Sequence, residues 1–156
     1  MKAICIIPSH GSVTFYQCCK KHKRVKVVFN LSNFSPGATH AIHIHEFGDL
    51  SDGCKSLGPH YNPTNETHGS IYIPYAPRHA GDLINNFTTD DKGRFMDWYI
   101  DDKLSKVDFS DIYGRSIVIH DGVDDLGRGT EKNKAESLKT GNAGTRLACG
   151  IIGRQN

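Results

Sequence analysis

Short runs of β-branched and aromatic residues, separated by turn residues, recur along this chain. Val25–Leu31 is one such run, and Leu83–Thr88 is separated from Arg94–Ile100 by the turn sequence Asp90-Asp91-Lys92-Gly93. Runs of this kind, repeated along a chain, are typical of all-β sandwiches and barrels. The sequence therefore predicts an all-β fold, and its 156 residues are interpreted as one domain, residues 1–156, large enough to bury a core.

The predicted strands are runs that alternate in polarity, or short apolar runs, that end at Gly, Asn, Asp or Pro. In chain order they are Lys2–Pro8, Ser12–Gln17, Val25–Leu31, a strand that contains His43 and His45 and ends at Phe47-Gly48, Leu83–Thr88, Arg94–Ile100, Ser116–His120 and Gly144–Ile152. Two long segments, Leu50–Arg78 and Asp121–Asn142, are predicted to be loops. A long ordered loop in a compact domain is usually functional.

Charge and hydropathy limit the classes of partner. The formal net charge is +2, which is too small to indicate nucleic-acid binding. The basic run Lys20–Arg24 is interpreted as a solvated hairpin turn, with a nucleic-acid or targeting patch as the alternative. No apolar run approaches the length of a membrane span, and the one at the N-terminus is too short for a signal peptide. The sequence thus predicts a cytoplasmic protein with neither nucleic acid nor membrane as a partner.

His43 and His45 lie two residues apart, with Ile44 between them. Side chains alternate between the two faces of a strand, so both imidazoles are expected on the same face. Two neutral imidazoles on one face form half of a site for zinc, copper, nickel or iron. The alternative is the polar outer face of a half-buried strand. His120, at the end of a later apolar run, is a third candidate ligand, although a single histidine at a strand end is commonly structural.

The loop Leu50–Arg78 contains His60 and His68 and leads directly into His79-Ala80-Gly81-Asp82. Three histidines and an aspartate are the ligand types of a closed tetrahedral zinc site. A bound metal would hold a loop that has no core of its own. The alternative interpretation is a solvated loop with unrelated histidines.

Taken together, these segments resemble the copper/zinc superoxide dismutase family. The segments that carry the resemblance are, in chain order, His43-Ile44-His45-Glu46-Phe47-Gly48-Asp49, Gly58-Pro59-His60-Tyr61-Asn62-Pro63, His79-Ala80-Gly81-Asp82-Leu83, His120 followed by Asp124-Asp125-Leu126-Gly127, and Gly141-Asn142-Ala143-Gly144-Thr145-Arg146-Leu147-Ala148-Cys149-Gly150. The first and last are similar to the two signatures of the family, and Tyr61 stands where Phe is usual. The match covers essentially the whole chain in order.

The resemblance implies an eight-stranded Greek-key β-sandwich or barrel with two long functional loops. It also implies one copper and one zinc ion per subunit. The implied ligands are His43, His45, His60 and His120 for copper, and His60, His68, His79 and Asp82 for zinc. Asp124 would link a copper-bound histidine to a zinc-bound one, since such outer partners fix ring orientation. Cys54 and Cys149 would form a disulfide, and Arg146 would lie beside copper as a guide for the anion.

The implied activity is that of a superoxide dismutase, in which ping-pong cycling between Cu(II) and Cu(I) converts two superoxide anions and two protons into dioxygen and hydrogen peroxide. This chemistry requires a redox-active metal, and zinc has no redox chemistry. His60 and Arg146 are the predicted catalytic residues. Two alternatives stay open here: an inactive dismutase-like decoy that binds a copper chaperone or a dismutase subunit, and a zinc hydrolase or metal buffer that uses the same ligands.

Some segments depart from the usual pattern of the family. Ile71–Pro77 is unusually apolar, and the second long loop is longer than usual around Lys132 and Lys134, which are expected to face solvent. Tyr113 and Arg154 stand where the dimer contact usually has aliphatic residues. The resemblance implies a homodimer, and because a buried unpaired arginine is costly, its interface is expected to be altered. A copper chaperone is a further candidate partner, since copper must be delivered.

Overall fold

The computed structural model describes residues 1–17, 23–73 and 75–156, and eight β-strands form its framework. The strands are β1 Lys2–Ile7, β2 Gly11–Gln17, β3 Val25–Leu31, β4 Thr39–His45, β5 Asn85–Thr88, β6 Phe95–Asp101, β7 Ser116–His120 and β8 Arg146–Arg154. The connections contain one α-helix among the described residues, α1 Lys134–Thr140, and short 3-10 helices at Lys55–Leu57, Ala80–Asp82, Leu104–Lys106, Phe109–Ile112 and Glu131–Asn133. Within these ranges, no helix is long and apolar enough to cross a membrane.

The strands are hydrogen-bonded in the order β5-β4-β7-β8-β1-β2-β3-β6, and each pair is antiparallel. β8 joins the two halves of this barrel-like sheet, because residues 146–151 pair with β7 and residues 152–154 pair with β1. Strands that are neighbours in the sheet are often distant in the chain, as in a Greek key. The predicted eight-stranded Greek-key fold is confirmed.

Alternation along β4 separates the core from the candidate metal ligands. Ile42 and Ile44 are fully buried in the apolar core. Burial of each of these side chains contributes roughly 1.5–3 kcal/mol to the stability of the fold. His43 and His45 project from the opposite face, where the long loops cover them and leave them 0% and 2% exposed. The pair therefore does not form a polar outer face.

The end of β4 differs from the prediction. The strand ends at His45 rather than at Phe47-Gly48. The N–H of Glu46 donates to the carbonyl of Pro59, and the N–H of Phe47 donates to that of Leu57. The first long loop, rather than a strand, therefore satisfies the backbone beyond His45.

The limits of β1, β2 and β6 differ from the prediction by one residue, and those of β5 and β8 differ by two. β5 begins at Asn85, two residues after the predicted start, because Leu83 (φ +48°) and Asn85 (φ +60°) turn the chain before it enters the sheet. β8 is Arg146–Arg154 rather than Gly144–Ile152, since Gly144 (φ +84°) still belongs to the preceding loop.

The second long loop contains a helix that the sequence analysis did not predict. α1 ends at Gly141, whose φ of +69° closes the helix in the left-handed conformation. The helix is seven residues long and buries only Ser137, so it carries no apolar period from which it could be predicted.

Cys54 and Cys149 form a disulfide with their Cα atoms 5.8 Å apart, as the resemblance implied. The bond joins the first long loop to β8. Most of the basic run lies outside the described residues, as do Cys18 and Cys19, so the hairpin turn predicted there stays a prediction. Lys23 and Arg24 are described, and both are exposed.

Candidate metal centre

Four buried histidines meet where β4, β7 and the first long loop converge. His43 and His45 come from β4, His120 ends β7, and His60 forms an isolated β-bridge with His45 from the loop. One nitrogen of each ring lies within 4.8 Å of those of the other three. The structure thus brings together the side chains that were predicted as copper ligands, here termed the first cluster.

His45 and His120 face each other through nitrogens that carry lone pairs. His45 Nδ1 lies 2.8 Å from the carbonyl oxygen of Gly58, and His120 Nδ1 lies 3.3 Å from that of Gly144. A carbonyl only accepts, so each Nδ1 donates and each Nε2 of the neutral ring keeps its lone pair. These two Nε2 atoms are 3.4 Å apart. Lone pairs that converge in this way repel each other unless a cation or a proton lies between them, which is the arrangement of metal ligands.

The other two rings of the first cluster each have a buried nitrogen without a hydrogen-bond partner among the described residues, His43 Nδ1 and His60 Nε2. The opposite nitrogen of His43 lies 2.7 Å from Asp124 Oδ2, and that of His60 lies 3.0 Å from Asp82 Oδ1. Leaving a buried polar atom unsatisfied costs about 1–3 kcal/mol. Copper is well suited to imidazole ligands, so the residues present fit this ion.

Three histidines and a carboxylate form a second cluster beside the first. The Nδ1 atoms lie close to Asp82 Oδ1, at 3.0 Å for His60, 2.9 Å for His68 and 2.9 Å for His79. The other oxygen of Asp82 accepts from the N–H groups of Gly69 (3.1 Å) and His79 (2.8 Å), which fixes the carboxylate. Three nitrogens and one oxygen in a closed, buried set match a tetrahedral zinc site. His60 presents one nitrogen to each cluster.

Asp124 connects the two clusters. Its Oδ2 lies 2.7 Å from His43 Nε2, and its Oδ1 lies 2.8 Å from His68 Nε2. The N–H of Leu126 also donates to Oδ1 at 2.7 Å. One buried carboxylate therefore orients a ring in each cluster. These hydrogen bonds explain why His43, His68 and Asp124 lie as close together as a third set of ligands would.

Burial keeps the rings of the first cluster neutral. It is the largest cause that lowers the pKa of His60 to about 3 and that of His120 to about 4. Burial also lowers the pKa of His43 and that of His45. Neutral rings offer the lone pairs that a metal needs.

The carboxylates in and beside the second cluster, Asp82 and Asp124, are ionised. Burial alone would raise the pKa of Asp82, but hydrogen bonds from three histidines hold that pKa well below its usual range. Burial alone would also raise the pKa of Asp124, but hydrogen bonds from His43 and His68 lower it. Burial alone would lower the pKa of His68, but its hydrogen bonds to Asp124 and Asp82 raise it to about 9. Two ionised carboxylates therefore favour a cation beside these rings.

Arg146 lies at the open side of the first cluster. Its Nη1 donates to the carbonyl of Cys54 and its Nη2 to that of Gly58, both at 2.6 Å. The carbonyl of Gly58 also accepts from His45, so one backbone group positions both the guanidinium and a candidate ligand. A cavity of about 150 Å³ opens here, lined by His45, Pro59, His60, His120, Glu136, Thr140, Ala143, Gly144 and Arg146. Its size and its fixed positive charge suit a small anion.

The lysines of the lengthened loop are exposed. Lys132 and Lys134 both face solvent, whereas α1 turns Glu136 and Thr140 to the cavity. This agrees with the expectation for the two lysines.

Two asparagines that the sequence analysis did not single out hold Asp124 in place. Asn85 is fully buried, and its Nδ2 donates to Asp124 Oδ2 (3.1 Å) and to the carbonyl of Gly69 (2.8 Å). Asn86 accepts from the N–H of Asp124 at 2.8 Å and donates to its carbonyl at 2.9 Å. The available signal was a pair of amides within an apolar run directly after a zinc-ligand motif.

A sequence profile of the family described as copper/zinc superoxide dismutase (SODC) matches residues 9–152. The protein named superoxide dismutase (Cu-Zn) from Schizosaccharomyces pombe is 46% identical over 143 residues, which cover 92% of this chain and 88% of that protein. The protein of the same name from Saccharomyces cerevisiae is 43% identical over 146 residues, which cover 94% of this chain and 90% of that protein. The protein of the same name from Cordyceps militaris is 40% identical over 160 residues, which cover 100% of this chain and 99% of that protein.

Proposed function

Because this chain belongs to the copper/zinc superoxide dismutase family, we propose that its first cluster holds copper and its second cluster holds zinc. The protein is an oxidoreductase that acts on superoxide, with copper and zinc as cofactors. The proposed ligands are His43, His45, His60 and His120 for copper, and His60, His68, His79 and Asp82 for zinc. The observation that carries this assignment is the 3.4 Å approach of two Nε2 lone pairs, those of His45 and His120, beside an open cavity.

When bound, copper supplies reversible one-electron transfer, so that two superoxide anions and two protons give one dioxygen and one hydrogen peroxide. The residues of the chain bind the anion, orient it and handle the protons.

Arg146 is proposed to bind and orient superoxide. A guanidinium presents several N–H donors in one plane and stays charged at physiological pH, even though burial lowers the pKa of Arg146. Its hydrogen bonds to the carbonyls of Cys54 and Gly58 hold it at the cavity wall before the substrate arrives. The attraction of an anion therefore requires no rearrangement of this side chain.

His60 is proposed to hold a proton at Nε2 during turnover. This nitrogen faces the first cluster without a partner among the described residues, while Nδ1 is committed to the side of Asp82. The ring lines the same cavity as Arg146. A proton at Nε2 would thus lie beside the bound anion, where peroxide must be protonated.

The first test is superoxide consumption by the copper- and zinc-loaded protein over a salt series. Turnover that slows as salt rises supports both the enzyme and attraction by the positive cavity. Arg146→Gln is expected to lower kcat/KM roughly tenfold or more, since a hydrogen bond to a charged group contributes about 1.5–3 kcal/mol. Arg146→Lys should keep more of the salt dependence than Arg146→Gln. No turnover by protein that contains both metals would contradict the proposal.

His120→Ala tests the copper assignment by itself. We expect copper content and activity to be lost while zinc content is kept, as measured by elemental analysis. His10→Ala is the control, because the Nδ1 of that ring contacts the carbonyl of Ser32, outside both clusters. Copper bound to the His120→Ala protein as tightly as to the unaltered one would overturn the assignment.

The decoy and hydrolase alternatives receive no support from the described site. Both proposed ligand sets, Arg146 and the Cys54–Cys149 disulfide are in place. The relatives named above are all called superoxide dismutases.

We further propose a homodimer through a face formed by the segment that follows β4, the segment before β7 and the end of β8. Phe47 and Leu50 are 50% and 48% exposed there. The guanidinium of Arg154 lies 5.3 Å from the centre of the Tyr113 ring, which gives this arginine a partner inside its own subunit. Such a contact reduces the cost of covering an arginine in an interface, so it supports an altered dimer.

We also propose that a copper chaperone is a partner of this protein and that its location is cytoplasmic. Residues 1–156 are proposed to form a single domain. The continuous core that both halves of the sheet share supports the single domain. Copper content after expression in cells with and without a copper chaperone tests the partner, and microscopy of the tagged protein tests the location.

A further inference from the structure

The outer face of the β1-β2-β3-β6 half of the sheet is largely apolar, although a solvated sheet face normally alternates to polar side chains. Strand register places the outward side chains of these four strands in three rows. The rows are Lys2-Tyr16-Lys26-Ile100, Ile4-Thr14-Val28-Trp98 and Ile6-Ser12-Asn30-Met96. These residues are termed the outer sheet face.

Large apolar side chains on this face are open to solvent. The exposed fractions are 72% for Met96, 57% for Trp98, 46% for Ile100, 59% for Ile6 and 37% for Tyr16. Contiguous exposed apolar surface of this kind marks a binding surface more often than chance exposure. The outer sheet face lies on strands that contribute no candidate metal ligand, so the proposed catalytic centre does not explain it.

The charged side chains within the three rows are both lysines. Lys26 Nζ lies 4.0 Å from the centre of the Trp98 ring, a cation–π contact that holds the ammonium at the level of the aromatic ring. Lys2 occupies the same row as Lys26. Lys23 and Arg24 are exposed and lead into β3 at that end of the face.

The acidic residues of β6, Asp97 and Asp101, do not belong to the three rows. Asp97 is exposed and alternates away from the outer sheet face, and its Oδ1 accepts from the N–H of Trp98 at 2.7 Å. Asp101 is buried and lies 2.9 Å from Arg78. No acidic residue occurs in the three rows, so a second copy stacked on this face would offer no carboxylate from its own rows to these lysines. The face therefore complements an anionic partner.

We propose that the outer sheet face docks on the surface of an anionic lipid bilayer. Tryptophan and tyrosine prefer the boundary between headgroups and acyl chains, and lysines near a membrane are attracted to negatively charged headgroups. Trp98, Ile100 and Met96 would enter this boundary, while Lys26 and Lys2 would lie among the headgroups. The sequence predicts neither a membrane span nor a membrane partner. Docking of a sheet face needs no span, so the proposal is compatible with the first prediction and departs from the second.

Trp98 is the only tryptophan in the sequence, so its fluorescence reports directly on this face. The copper- and zinc-loaded protein is mixed with phosphatidylcholine vesicles prepared with and without phosphatidylserine. We expect the emission to shift to shorter wavelength with the anionic vesicles at low salt, to be quenched by brominated acyl chains and to revert as salt rises. No shift and no quenching with anionic vesicles at low salt would overturn the proposal.

Variants separate specific docking from general attraction of a basic protein. Lys26→Glu is expected to weaken partition into anionic vesicles about tenfold. Lys132→Glu changes the net charge equally, but on a loop distant in the fold, and should change partition less than twofold. Equal effects of the two substitutions would overturn the proposal.

Vesicle co-sedimentation extends the test to Trp98→Ala, which cannot be followed by fluorescence. We expect Trp98→Ala to weaken co-sedimentation severalfold, whereas Tyr75→Ala, which removes a fully exposed aromatic outside the outer sheet face, should not. If Trp98→Ala instead abolishes self-association in lipid-free solution and leaves vesicle binding unchanged, the face binds a second copy and the lipid proposal is wrong.

Discussion

Gly58 illustrates how the centre depends on backbone groups at single residues. Its carbonyl accepts from His45 at 2.8 Å and from Arg146 at 2.6 Å. Its φ is +74°, and a Cβ there would lie 2.5 Å from the ring of Phe47, so both conformation and space require glycine. The positions of the His45 ring and the Arg146 guanidinium thus depend on a backbone atom that no side-chain motif contains.

Gly141 supports a similar prediction for the carboxylate that joins the clusters. A Cβ at Gly141 would lie 2.2 Å from Asp124 Oδ1 and 2.5 Å from His68 Nε2, which are themselves 2.8 Å apart. Gly141→Ala is therefore expected to separate these two groups. We predict lower zinc retention during dialysis against a chelator and lower activity, measured by elemental analysis and superoxide consumption.

Gly37→Ala is the matched control for this prediction. Gly37 has the same φ of +69°, but a Cβ there would meet nothing within 4 Å. We expect Gly37→Ala to lower the free energy of unfolding by about 1–2 kcal/mol through backbone strain alone, and to retain both metals. Equal zinc retention by the two variants would show that the collision at Gly141 is unimportant.

At the scale of elements, buried charge ties the first long loop to β6. Arg78 is 3% exposed and donates to Asp101 (2.9 Å) and Asp102 (2.6 Å) at the end of the strand. Glu66 of the same loop pairs with Lys103 just beyond β6. The loop that carries His60 and His68 is therefore held by charged contacts in addition to any metal.

Arg78→Ala is expected to destabilise the metal-loaded protein by about 3–5 kcal/mol, because it leaves Asp101 buried without its counter-charge. Arg94→Ala removes an exposed pair with Asp90 and should cost no more than ~1 kcal/mol. Urea unfolding of both variants at equal metal content provides the comparison. Costs that agree within experimental error would mean that the buried pair does not anchor the loop.

The disulfide is the second anchor of this loop. Cys54 and Cys149 are separated by 95 residues in sequence. Replacing both by serine is expected to cost roughly 4–5 kcal/mol through the entropy of the unfolded chain. It should also lower kcat/KM, because Arg146 donates to the carbonyl of Cys54.

Reduction of the unaltered protein tests the same effect without a substitution. Unfolding and turnover of the reduced, metal-loaded protein should match those of the double serine variant. A reduced protein as stable as the oxidised one would contradict this prediction.

At the scale of the whole molecule, the proposed dimer face makes a prediction about mass. Sedimentation velocity should give a species of twice the 17.3 kDa chain. Phe47→Glu places a charge in the proposed interface and is expected to shift the protein to the monomer. Tyr75→Glu adds the same charge at a fully exposed site outside that face and should leave the dimer intact. A monomer at all concentrations of the unaltered protein would exclude the dimer.

Strand positions were predictable because strand alternation is a local property of the chain. The limits of β4 and β5 were not, since they depend on loop carbonyls such as that of Pro59 and on the positive φ of Leu83. α1 was missed because a short, exposed helix has too little periodicity to be recognised. The roles of Asn85 and Asn86 were missed because their partner, Asp124, comes from a distant segment.

The sequence by itself determined the strands, because alternation lies within a few residues of chain, and its short motifs carried the resemblance that implied the Greek-key fold and the candidate ligands. Only the tertiary structure decided which nitrogen of these histidines points into the first cluster. That choice is made by an acceptor on a remote segment: Gly58 for His45, Gly144 for His120 and Asp124 for His43. The composition of the outer sheet face also depends on the tertiary structure, because its rows join strands that become neighbours only when the sheet has formed.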